Sequence, residues 1–181
     1  MRFRLCLIVL TFNTLWVGSS SAQDSPLLGP SGFAFNGKWV CTGSIPTPGK
    51  TLAHHALYEG RMVSGGKWIE LVQKDIDPEP YDATMLIGYD SNQKRVVNYI
   101  ADNHGWAVLT GPGWKGQSLT LTMTGEASIP GYSVENPLPI SRVTYEVQSA
   151  DAFSLHWEVF EGSQWKPDDS LACARPDPNK A

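Results

Sequence analysis

The side chains in this chain most suited to chemistry are four histidines, His54, His55, His104 and His156, and a run of carboxylates in Asp75-Ile76-Asp77-Pro78-Glu79-Pro80-Tyr81-Asp82. His54 and His55 are adjacent. In an extended strand neighbours point to opposite faces, so the two cannot chelate one metal without a bulge. His156 shares its face with Ser154 and Glu158, opposite Phe153, Leu155 and Trp157, which puts it toward solvent. Asp75, Asp77 and Glu79 have a spacing suggestive of calcium ligands, but two prolines stiffen the run and no nearby glycine supplies the sharp turn. The expectation is a solvated loop at the mouth of the fold. No Gly-x-Ser-x-Gly elbow is present, and no cysteine is left free for nucleophilic work if the two that follow the leader pair with each other. No catalytic residue, metal site or cofactor is therefore expected.

Those two cysteines are Cys41 and Cys173. The third, Cys6, lies in a leader that begins Met1-Arg2-Phe3-Arg4, continues through an apolar run from Leu5 to Val17 and ends in Gly18-Ser19-Ser20-Ser21-Ala22. This pattern reads as a secretory signal peptide over residues 1–22, with Ser20 and Ala22 at the positions where signal peptidase needs small side chains. The run is too short for a membrane span, which takes about 20 apolar residues. A periplasmic or secreted location follows, and with it an oxidising compartment in which Cys41 and Cys173 form a disulfide. Loss of Arg2 and Arg4 lowers Lys plus Arg from 14 to 12 against 18 Asp plus Glu, and moves the net charge from −4 to −6. Such an acidic chain lacks the basic footprint of a nucleic-acid binder.

Residues 23–35 form a Pro/Gly/Ser-rich lead-in, with Leu27, Leu28, Phe33 and Phe35 as anchors; a barrel domain spans residues 36–175 and a tail 176–181. Within the domain, short runs of alternating apolar and polar residues recur between turn signals, as in Ser118–Thr124, Arg142–Gln148 and Phe153–Val159. About ten strands and no helix of useful length emerge. Hairpins in sequence make an up-and-down antiparallel meander, and a meander this long curls and closes, bringing the first and last strands, and Cys41 and Cys173, together. The fold class is all-β, a closed barrel.

Four stretches, Phe35-Asn36-Gly37-Lys38-Trp39-Val40-Cys41, Gly88-Tyr89-Asp90, Gly111-Pro112-Gly113-Trp114-Lys115-Gly116 and Asp169-Ser170-Leu171-Ala172-Cys173, resemble an exported bacterial family of unknown function with lipocalin-like (calycin) barrels. That resemblance implies a barrel and no particular activity. More distantly the chain is similar to nitrobindins, ten-stranded barrels that open with Gly-x-Trp-x-Gly-x-Gly and hold haem through a histidine near the C-terminus. Here the opening is Gly37-x-Trp39-x-Cys41-x-Gly43 and no histidine lies on or after the final strand, so the nitrobindin haem ligand is missing.

Parity on the strands puts Trp39, Tyr99, Leu121, Tyr145, Leu155 and Trp157 on the inner face, and these six are the expected binding residues for an apolar or aromatic small molecule. Two rivals remain: a filled barrel acting as a structural or protein-interaction module, and a hydrolase-type enzyme at the barrel mouth. If Met85, Ile87, Val97 and Tyr99 point inward, then Leu86, Val96 and Ile100 form an outer apolar patch suited to a homodimer contact.

Overall fold

The computed structural model describes residues 27–128 and 139–177; the leader at 1–22, the first residues of the lead-in and the end of the tail lie outside the described residues. Ten antiparallel strands run β1 (Gly37–Thr47), β2 (Lys50–Val63), β3 (Trp68–Asp77), β4 (Asp82–Asp90), β5 (Arg95–Asp102), β6 (Gly105–Gly111), β7 (Ser118–Ser128), β8 (Ser141–Ser149), β9 (Ala152–Glu161) and β10 (Gln164–Ala174). Each pairs with its neighbours in sequence, and β1 pairs with β10, so the sheet closes as a barrel without a free edge. No helix among the described residues is long and apolar enough to cross a membrane.

The seam between β1 and β10 sets Cys41 directly opposite Cys173, and the two form a disulfide. Both sulfurs face the interior, because Cys41 shares the inner face with Trp39 and Cys173 shares it with Leu171. The first strand is longer than its turn residues suggest. Ile45-Pro46-Thr47, which reads as loop, continues β1 and pairs with β2 as far as Thr47 opposite Lys50. The final strand begins at Gln164 and carries a bulge between Pro167 and Asp169.

The interior divides into two halves. One end is filled by the lead-in, whose Leu27, Phe33 and Phe35 fold back into the barrel, whereas Leu28 stays exposed. Phe33 meets Phe35 edge-on at 4.9 Å and Phe153 at 5.6 Å, Trp39 meets Phe153 at 4.9 Å, and Phe35 meets Tyr145 at 5.1 Å. Trp39 Nε1 donates to the Phe35 carbonyl at 2.9 Å, and the Arg175 guanidinium stacks 3.6 Å from the centre of the Trp39 ring, capping the plug from outside. Offset and edge-on rings of this kind pack at interior density.

β5 departs from the expected parity. Register pairs Ile87 with Asn98 and Met85 with Ile100, so Val96, Asn98 and Ile100 face the interior while Tyr99 faces out and is 49% exposed. A cross-strand pair shares a face, and the inward Met85 and Ile87 of β4 therefore decide the matter for β5. Between its charged ends, Arg95 and Asp102, the strand is apolar on both sides apart from Asn98, and burying that amide is the arrangement that hydropathy alone disfavours. Val97, expected inside, points outward beneath its neighbours. Of the expected outer patch only Leu86 is outside. Val96 and Ile100 are core residues, and the outer groove is instead lined by Leu86, Tyr99 and Trp106.

Candidate functional site

Opposite the aromatic plug the barrel opens into a cavity of about 690 Å³. Its apolar wall comes from Ile45, Leu52, Ile100, Leu109, Met123 and Trp157. Its polar wall is built around one histidine.

His54 lies on β2, where Leu52, His54, Ala56 and Tyr58 alternate toward the interior, and it is only 2% exposed. His54 Nδ1 lies 2.8 Å from Asp169 Oδ1, and Nε2 lies 2.9 Å from Asp75 Oδ2. The first contact is a well-formed hydrogen bond. The second is close but poorly aligned, so the Nε2 position has no true hydrogen-bond partner in the protein. Gln73 Nε2 donates to the other oxygen of Asp75 at 2.8 Å and holds that carboxylate against the ring. Burial opposes a charge on the imidazole, but the hydrogen bond to Asp169, the contact with Asp75 and the negative charge of both outweigh it, and the His54 pKa is raised from 6.5 to about 9. At neutral pH the ring is an imidazolium clamped between two carboxylates.

Two bulges set up this arrangement. On β3, Asp75 pairs with Ala56 and Asp77 with His55, so Ile76 is an extra residue and turns the strand between them. Without it Asp75 and Asp77 would share a face; with it Asp75 faces His54 inside and Asp77 faces His55 outside, at 3.1 Å from His55 Nδ1. Asp75 and Asp77, two of the three carboxylates considered as calcium ligands, are thereby separated. On β10 the extra residue is Asp168, between Pro167 opposite Glu158 and Asp169 opposite Trp157. The bulge brings Asp168 to the cavity beside Asp169, and partial burial with the charges of Asp169 and Glu161 raises its pKa.

His54 and Asp169 are on strands that do not pair with each other, since β1 lies between them. Their contact passes over β1 at Gly43, the residue opposite His54, where no side chain intervenes. A Cβ at Gly43 would lie 1.7 Å from the Ser170 carbonyl oxygen, so glycine is also what lets β10 approach there. Further round the wall, Tyr81 donates to Asp102 Oδ2 at 2.8 Å, while Asp102 Oδ1 accepts from the backbone of His104 and Gly105. Burial first, and then the hydrogen bond to Asp102, raises the Tyr81 pKa and keeps the phenol a donor.

The expected binding residues fall in three places. Trp157 lines the cavity. Trp39, Leu121, Tyr145 and Leu155 are buried in the packed interior and are absent from the cavity wall, and Tyr99 is on the outer surface. The residues that sequence reasoning missed are His54, Gln73, Asp75, Asp168 and Asp169. A signal was present in the alternation of β2, which puts His54 on the face of Leu52, Ala56 and Tyr58.

Among solved structures, the chain is similar to Rv2717c from M. tuberculosis, with a TM-score of 0.58 and 16% identity over 84% of this chain and 94% of that one. At this identity the likeness concerns the fold. No curated protein matches the chain. A family model described as "Protein of unknown function (DUF1579)" matches residues 33–167, from the aromatic plug to the bulge of the last strand, and the chain belongs to that family.

Proposed function

We propose that this protein binds a small molecule in the cavity at the open end of its barrel. The observation that carries this reading is the cavity itself, about 690 Å³ with Trp157, Leu52, Leu109 and Met123 on one side and a few fixed polar groups around His54 on the other. Sites for small ligands have this size and this division of labour, apolar surface for affinity and a few convergent polar groups for orientation. The ligand is accordingly amphipathic, and not the wholly apolar guest that the aromatic residues alone suggest. A periplasmic or secreted location fits the leader sequence and the disulfide.

The hydrolase reading has less support. A general base works best with a pKa near the working pH, whereas His54 is held protonated with carboxylates at both nitrogens. The interaction-module reading has one observation in its favour, the outer groove of about 290 Å³ lined by Leu86, Tyr99 and Trp106. Native mass spectrometry of protein isolated from its own host tests the binding reading. Wild type retains a small-molecule adduct, and Met123→Trp, which fills the cavity without touching the plug, loses it. Adduct-free wild type, together with unchanged melting of both proteins across an amphiphile panel, would rule the reading out.

A further inference from the structure

The cavity wall carries five carboxylates, Asp75, Glu79, Asp102, Asp168 and Asp169, against Lys50 and the His54 imidazolium. Their engagement differs. Asp102 is satisfied by Tyr81 and two backbone amides, whereas Asp75 accepts from Gln73 on one oxygen and has its other oxygen 2.9 Å from His54 Nε2 without alignment. Asp168 and Glu79 have no ion pair with lysine or arginine among the described residues, and Asp169 uses one oxygen on His54. A second observation is independent of this charge: His54 is 2% exposed, lines the cavity, and has a buried Nε2–H without an aligned acceptor. A buried donor left unmet costs free energy that a ligand oxygen would recover.

Resting on the small-molecule reading above, we infer that the ligand is an amine with a neighbouring oxygen acceptor on an apolar tail, as in an alkyl amino alcohol. The ammonium group meets the surplus carboxylate at Asp168 and Asp169, the oxygen accepts from His54 Nε2, and the tail lies along Trp157, Leu109 and Met123. An anionic head is disfavoured because the surplus carboxylates of the wall repel it.

Isothermal titration calorimetry with N-decylethanolamine, decylamine, decanol and decanoate at neutral pH tests this. The expected order of affinity is N-decylethanolamine, decylamine, decanol, decanoate, with the amino alcohol about tenfold or more tighter than decanol, a difference of about 1.4 kcal/mol. Asp168→Asn, which leaves the His54 contacts in place, should reduce that preference several-fold and leave decanol unchanged, and added salt should shrink it in wild type. Decanol or decanoate binding as tightly as the amines would overturn the inference and leave the small-molecule reading standing. Failure of all four to bind, with the protein folded by circular dichroism, would overturn both.

Discussion

Nδ1 of His54 and Oδ1 of Asp169 are 2.8 Å apart although the residues are 115 positions apart in sequence and sit on strands with another strand between them. The contact spans the seam of the barrel, so it reports on closure as well as on the cavity. Because the folded pKa of His54 is raised to about 9 above its ordinary 6.5, the linkage has a definite sign. Its contribution is fully present below pH 6.5 and is lost as pH rises through 9, and it amounts to roughly 3 kcal/mol at most. Denaturant melts at a series of pH values should show stability falling across that window. The groups facing the ring are Asp75 and Asp169, with Gln73 behind Asp75. Asp169→Asn should flatten the slope; a slope unchanged in that variant would mean that the ring titrates elsewhere.

Asn98 offers a second test. Its amide is fully buried inside the barrel, and neither its nitrogen nor its oxygen has a protein partner. Replacing an unpaired buried amide by an apolar group of similar size removes a desolvation penalty of about 1–3 kcal/mol. Asn98→Leu should raise the denaturation midpoint by that measure. A lower midpoint would show that water or a bound group completes the amide.

The disulfide closes a loop of 132 positions, for which chain entropy alone gives about 5 kcal/mol. The double variant Cys41→Ala, Cys173→Ala should therefore unfold at markedly lower urea. Wild type in reductant should approach it, and coincident curves for oxidised wild type and the double variant would contradict the assignment.

Phe33 is the hub of the plug, touching Phe35, Trp39, Trp114 and Phe153. Phe33→Ala should cost about 3–5 kcal/mol in equilibrium unfolding. A cost below one kcal/mol would place the lead-in outside the cooperative unit.

The architecture was legible because hairpin turns and alternation are local signals. Phe153, Leu155 and Trp157 against Ser154 and His156 are enough to lay out β9, and the two cysteines mark the first and last strands. His54 follows the alternation of β2, but the carboxylates around it were not legible for a physical reason: their placement depends on departures from alternation. The extra Ile76 separates Asp75 from Asp77, and the extra Asp168 shifts β10 by one residue, and a bulge has no fixed residue signature. β5 failed differently. With Val96, Val97, Tyr99 and Ile100 all apolar, its facing is decided by the partner strand and not by its own pattern, and Tyr99 with Trp106 stands outside where parity alone places Val96 and Ile100.

Joining β1 to β10 has a temporal consequence as well. Every other strand can pair with the one just before it, but β1 must wait for the last strand before its open side is covered. Until Leu171 and Cys173 arrive, Trp39 and Cys41 sit on an unpaired edge with a free thiol. The barrel therefore completes only after nearly the whole chain has been made, by a contact of long sequence separation, which is a slow step in folding. The disulfide between Cys41 and Cys173 locks in the one contact that sequence order delays longest.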